Sequence, residues 1–259
     1  MASRVIRYVE GSSIVHTLDP RAKLTLVFSL ILSATLAYSI PLVLPLLLAS
    51  LAFYLAAKLP WSKVKSTWKI VATIILFLSL LNYLFVAVLF HPPEAPSAVS
   101  SEIFVRVFTP ILKLLTVALA AITLVYTTPP NLYAPALGQM GLSYKAAYVI
   151  QLGLRYFPEY IEEMRRTLEA QMARGYRPRG GGNFIARILN LAPLVVPVTV
   201  SASLSIYDVA DAMELRGFGE SDCHTWLRKL KMSARDKAVV AVSLALLAAY
   251  VALYVARPL

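Results

Sequence analysis

The 259-residue chain is 58% apolar and only 15% charged, with a positive mean hydropathy, against roughly 45–50% apolar and 25% charged in soluble domains. That composition excludes an ordinary soluble domain and reads as an integral membrane protein. A formal net charge of +11 would suit nucleic acid, yet in a membrane chain basic residues gather in cytoplasmic loops against anionic lipid, so lipid rather than nucleic acid is the expected partner.

In chain order, the first apolar run begins only after Lys23 and outlasts a signal-peptide core, so no cleavable leader is expected. Thirty-four residues free of Asp, Glu, Lys and Arg separate Lys23 from Lys58, too many for one span of about 20 residues. Tyr38-Ser39-Ile40-Pro41 divides them into two somewhat short helices, because proline lacks a backbone donor and disfavours helix in the residue before it. A third apolar run extends from Ile70 to Pro93 and is closed by "HPPEAPS". A fourth starts at about Ile103 or Pro110 and reaches Tyr126, ending at "TTPPN". The last, Ala238 to Ala256, has 19 residues and can span alone.

Basic residues orient these five spans. With the N-terminus inside, the inner segments hold 22 of the 25 Lys and Arg, and only Arg106, Lys113 and Arg257 fall outside. This is a strong positive-inside pattern. Lys113 reads as a cation near a helix end that reaches back to the interface. One further uncharged stretch, Ile188 to Tyr207, is long enough to span. Crossing there would put its flanks on opposite sides unless the densely charged segment from Arg155 to Arg174 also crossed, so it is expected as a helix broken near Pro193 and Pro197, lying in the interface or packed against the spans from the cytoplasmic side. Its Ser201, Ala202, Ser203 and Ser205 permit close helix approach.

About 110 residues between the fourth and last spans then face the cytoplasm. "PEYIEEMRRTLEAQMARG" predicts a helix with Pro158 in its first turn, Glu159, Glu162 and Glu163 near its positive end, and Arg174 before a capping Gly175. Ile161, Met164, Leu168 and Met172 recur at steps of three and four, an apolar face beside a charged one. A second arm, Thr199 to Arg216, carries Val209 and Met213 with Asp208, Asp211 and Glu214 on its more polar sides. Both arms end in Ala-x-x-x-Arg-Gly-aromatic: Ala170, Arg174, Gly175, Tyr176, and then Ala212, Arg216, Gly217, Phe218. Arginine followed by glycine is a common helix ending. Two such tips in one cytoplasmic block also suit two similar acceptor grooves on a partner, each guanidinium offering five donors.

With these motifs the chain resembles the transmembrane (T) component of energy-coupling factor (ECF) transporters, the EcfT/CbiQ family, which includes permeases of cobalt and nickel uptake systems. The resemblance runs from "SSIVHTLDPRAKL", with His16, Leu18, Asp19, Pro20, Arg21 and Lys23, through "LRYFPEYIEEMRRTLEAQMARG" to "AMELRGFG". It implies an all-α membrane protein of about five transmembrane helices with long cytoplasmic coupling helices. The corresponding domains are a four-span region, 1–126, a coupling-helix region, 127–234, and a C-terminal span, 235–259. It implies ATPase-docking motifs at Ala173-Arg174-Gly175 and Leu215-Arg216-Gly217, the second with leucine in place of the usual alanine. It further implies that two ATP-binding-cassette ATPases dock there, that Ile161, Met164, Leu168 and Met172 meet a small substrate-binding (S) subunit, and that the assembly imports a vitamin or a metal ion across the cell membrane.

The residues themselves offer little chemistry. No Gly-x-x-x-x-Gly-Lys-[Ser/Thr] phosphate loop, nucleophile elbow, zincin motif or dinucleotide fingerprint occurs, so the expectation is a non-catalytic subunit without cofactor or metal. The histidines are scattered, and adjacent Cys223-His224 lacks a second pair. Asp19-Pro20 reads as the N-cap and first residue of the first span. A self-sufficient secondary transporter or channel would place charged residues or paired broken helices at mid-membrane, where this chain offers Asn82 and scattered Ser and Thr. A membrane scaffold for another cytosolic complex is the remaining alternative.

Overall fold

The computed structural model describes residues 8–9, 11–89, 98–176, 184–221 and 230–256. Among these residues there is no strand, and the helices are α1 (Ile14–Thr17), α2 (Pro20–Leu36), α3 (Ile40–Ala56), α4 (Trp61–Leu89), α5 (Ala98–Thr127), α6 (Tyr133–Gln139), α7 (Tyr144–Ala173), α8 (Phe184–Glu214) and α9 (Ala234–Val255). They fall into two compact units, α1 to α5 with α9, and α6 to α8. The chain is an all-α membrane protein.

Local signals set most boundaries in the first unit. The Asp19 side chain accepts from the Arg21 N–H at 2.9 Å and Pro20 follows as the first helical residue, which starts α2 as expected. The reversal at Tyr38 to Pro41 is also present, with Ser39 as N-cap of α3 and Pro41 in its first turn. Helices α2 and α3 have 17 residues each, about 26 Å of helix against a hydrocarbon core of about 30 Å. By length and composition Trp61–Phe85, Val105–Thr127, Leu191–Glu214 and Ala234–Val255 could each cross a membrane. Val64, near the start of α4, is buried, but farther along the helix Ile74, Leu76, Phe77, Leu78, Leu80 and Leu81 are all exposed. Such a surface suits lipid.

The first unit packs through small residues. Lipid tails are as apolar as leucine, so close backbone approach rather than hydrophobic expulsion holds such helices together. On α5, Thr116, Ala120, Thr123 and Thr127 form one buried stripe, and the threonine hydroxyls donate to carbonyls four residues back at 2.7–2.8 Å. Satisfied internally, they leave a smooth face. Val43, Leu46, Ser50 and Phe53 present the matching buried face of α3. Helix α9 packs along α2, and its Tyr250 hydroxyl donates to the Leu42 carbonyl at the start of α3. Lys113 donates to the Thr35 carbonyl in the last turn of α2 at 3.2 Å, where the helix dipole favours a cation.

The proline readings need correction in two helices. Helix α7 begins at Tyr144, with the Ser143 hydroxyl accepting from Ala146 N–H at 3.4 Å, so Pro158 lies inside it rather than in its first turn. Likewise α8 is continuous from Phe184 to Glu214, and the break expected near Pro193 and Pro197 is not found. Helix α5 carries Pro110 in its interior. A proline removes one donor and its ring crowds the carbonyl four residues back. In α8 the second proline stands four after the first, so the bond lost at Pro197 is the one to Pro193 itself, and the disruption stays on one face. Packing of α7 against both α6 and α8 supports the rest of the ladder.

Candidate functional site: two arginine-glycine helix ends

The two Arg-Gly signatures fold into the same hydrogen-bonded helix ending. At the end of α7, Tyr176 N–H donates to the Gln171 carbonyl at 2.9 Å and Gly175 N–H to Met172 at 3.0 Å. At the end of α8, Phe218 N–H donates to Met213 at 3.0 Å and Gly217 N–H to Glu214 at 2.8 Å. Both are Schellman motifs, in which bonds spanning five and three residues satisfy carbonyls that the helix leaves orphaned. The motif needs a left-handed residue after the cap, and Gly175 (φ +88°) and Gly217 (φ +73°) supply it. Arg174 and Arg216 thus stand one residue before the turn, and both are exposed.

Helices α7 and α8 run antiparallel. Ser201 Oγ donates to Glu163 Oε1 at 3.5 Å, whereas Phe218, beyond the end of α8, meets Tyr144 and Tyr148 in the first turns of α7, at ring-centroid distances of 5.7 and 4.9 Å. The two arginines therefore lie at opposite ends of the helix pair. The 26 residue steps from Tyr148 to Arg174 correspond to about 39 Å of helix. Between the ends, α7 and α8 line an open cleft of about 360 Å³.

The remaining sequence-derived residues sit as follows. Ala173 is exposed, and Leu215, at 89% exposure, projects almost wholly into solvent beside Arg216. Ile161 and Leu168 are half-buried, while Met164 and Met172 are exposed. All four lie along α7, the last of them, Met172, two residues before Arg174. Cys223 and His224 lie outside the described residues.

The His16 to Lys23 segment forms a second polar cluster, inside the first unit. His16 Nε2 donates to the Val9 carbonyl at 3.0 Å, which fixes a proton on that nitrogen, and Nδ1 hydrogen-bonds with Ser13 Oγ at 2.6 Å. Burial, and secondarily the nearby Lys23 cation, hold its pKa below the ordinary 6.5 despite the opposing Val9 hydrogen bond. Lys23 is buried and donates to the Thr127 carbonyl at 3.1 Å and the His16 carbonyl at 3.4 Å. Arg21 Nη2 donates to the Leu230 carbonyl at 3.1 Å. The segment thus ties the start of α2 to the end of α5 and to the approach to α9.

Residues 11–225, which take in this segment and both Arg-Gly ends, match the model of the CbiQ family, described as cobalt transport protein. The chain belongs to that family. Relatives agree along nearly the whole length: each of three is an energy-coupling factor transporter transmembrane protein, EcfT. That of Heliobacterium modesticaldum is 32% identical over 260 residues, covering 92% of each chain. The Bacillus subtilis protein is 31% identical over 265 residues, covering 96% of this chain and 97% of its own. The Bacillus selenitireducens protein is 30% identical over 258 residues, covering 95% of each. This EcfT/CbiQ chain is a transmembrane component of an ECF transporter and acts in membrane transport.

Within this CbiQ-family chain, sequence reasoning passed over the aromatic contacts of the second tip. Their signal was present as an aromatic residue following each Arg-Gly and as Tyr144 and Tyr148 four apart, one helical turn. Neither shows a partner until the antiparallel pairing is known.

Proposed function

We propose that this chain couples two ATPase subunits to a separate small membrane subunit that binds the substrate. Arg174 and Arg216 anchor one ATPase each, flanked by Ala173 and Gly175 and by Leu215 and Gly217. The observation that carries this reading is the repeated Schellman ending, which exposes one arginine at each end of a single antiparallel helix pair. Two like contacts far apart suit two copies, or two homologues, of one partner. When ATP binding closes the two ATPases, the pair between them is displaced, and the face with Ile161, Met164, Leu168 and Met172 transmits that displacement to the substrate-binding subunit.

The substrate is of the vitamin or metal-ion class, cobalt and nickel included. The family description, cobalt transport protein, supports the metal-ion class, and the relatives' names, energy-coupling factor transporter transmembrane protein, support the coupling role. The N-terminus and helices α7 and α8 lie in the cytoplasm of a multi-pass cell-membrane protein, on the strength of the 22 inner basic residues. Leu191–Glu214 meets the length of a span, but α8 packs along α7. Taking α8 across would carry Glu159, Glu162, Glu163, Arg165 and Arg166 into hydrocarbon, at about 2.5–3.5 kcal/mol for each Arg near the centre.

Copurification from the complete transporter tests the proposal. Arg174→Ala and Arg216→Ala are each expected to release ATPase, and the double variant more. An interfacial charge-assisted contact is worth about 2–5 kcal/mol, a helix-dipole contact only about 0.3–1 kcal/mol. Full ATPase retention by the double variant, with normal membrane insertion, would end the anchor reading.

A further inference from the structure

The second arginine is held by more than its own helix. Phe218 follows Gly217 in the turn after α8, and its ring lies 4.9 Å from that of Tyr148 and 5.7 Å from that of Tyr144, the latter edge-on. Both centroid separations fall within the range of roughly 4.5–7 Å of favourable aromatic pairs, one pair edge-on and the other tilted by 42°. The backbone follows the same path. Gly219 has φ +96°, and a side chain there would meet Lys145 Cε at 3.8 Å. Residues 217–219 therefore rest on the first turns of α7, with Arg216 one residue away.

We propose that Phe218 is a positioning residue for Arg216, clamping the second tip to the start of α7 so that one helix carries both arginines. This rests on the docking role proposed above. Arg174 belongs to α7 by chain continuity, and Arg216 is attached through the packing of Phe218 on Tyr144 and Tyr148. With α7 bearing both tips, the distance between the two ATPase contacts is set by the length of one helix. Rotation or shift of α7 then displaces both contacts together, and α8 follows. Without the clamp, Arg216 would be fixed only to the end of α8, free to follow its ATPase without moving the start of α7. The first tip needs no such device, since its arginine caps α7 itself.

The test uses the full chain, in a Cys223→Ser background, within the complete transporter. Spin labels at Lys145→Cys and Leu215→Cys report the clamp directly. A short, narrow distance distribution is expected, broadening in Phe218→Ala and staying narrow in Phe218→Trp. ATPase copurification reports its consequence. Losing the ring pairs is expected to weaken ATPase retention by about three- to tenfold, with Phe218→Trp close to the unsubstituted protein. Phe218→Ala is expected to add little to Arg216→Ala, yet to add its full effect of about three- to tenfold to that of Arg174→Ala. An unchanged distance distribution in Phe218→Ala would overturn the clamp. A broadened distribution with Arg216→Ala impaired and Phe218→Ala unimpaired would overturn the positioning role alone. If neither substitution affects ATPase retention, the docking reading fails and the positioning role with it.

Discussion

The backbone N–H of Asp19 donates to Asp236 Oδ1 at 2.9 Å, so one carboxylate joins the starts of two helices 217 positions apart in sequence. Asp236 is buried, and its other oxygen accepts from the Ser233 N–H and hydroxyl at 2.8 and 2.7 Å in the capping box of α9. Asp19 in turn caps α2. The two caps are therefore coupled, and losing one loosens the other.

We predict that Asp236→Ala destabilises the protein by about 2–4 kcal/mol, because it strands buried donors that had bonded to a charged acceptor. Asp236→Asn, which keeps one acceptor oxygen, should lose about half as much. Thermal unfolding in detergent, followed by size-exclusion recovery, measures both. Equal stability of Asp236→Ala and the unsubstituted protein would contradict the coupling.

His16 gives the fold a pH dependence of definite sign. Its folded pKa is lowered from 6.5, so the unfolded chain binds a proton more readily than the folded one. Stability is then complete above pH 6.5 and declines as pH falls below it. Melting at pH 7.5 and 5.0 should show this loss, and His16→Gln should flatten it.

Gly11 approaches the same ring. A Cβ built there would lie 2.8 Å from His16 Cε1, closer than real contacts allow, and the ring is held at both nitrogens. Gly11→Ala should cost about 1–3 kcal/mol by forcing the ring out of place, and with the ring displaced the pH dependence should weaken too.

The two capping glycines should respond alike to alanine. Each has positive φ, so Gly175→Ala and Gly217→Ala should each cost about 1 kcal/mol from backbone strain. Asparagine, which tolerates this conformation, should cost less. Space differs at the two sites, since a Cβ at Gly175 meets nothing within 4 Å whereas one at Gly217 meets the Glu220 carboxylate at 3.4 Å. Arg→Lys at positions 174 and 216 keeps the charge but loses the planar fork. Under the docking proposal these variants should release ATPase while melting normally.

Cysteine accessibility tests the orientation. In a Cys223→Ser background, Ala2→Cys should label only from the cytoplasmic side and Leu259→Cys only from the outer side, following the basic-residue split. Labelling of both from one side would contradict it.

What the sequence determined by itself was decided within a few residues. Asp19-Pro20 starts a helix and Pro41 restarts one, because capping and proline geometry act across a single turn. The Arg-Gly-aromatic ends formed the caps that their glycines demanded, for the same reason. Membrane class followed from composition, which depends on no arrangement at all. The tertiary structure alone decided whether Pro158, Pro193 and Pro197 would break their helices, since each removes one hydrogen bond and only neighbouring packing determines whether the rest survive. It alone paired Phe218 with Tyr148, seventy positions away, and Asp19 with Asp236. Such partners carry no local signature, because an aromatic ring or a carboxylate satisfies its needs with whatever the fold brings within reach.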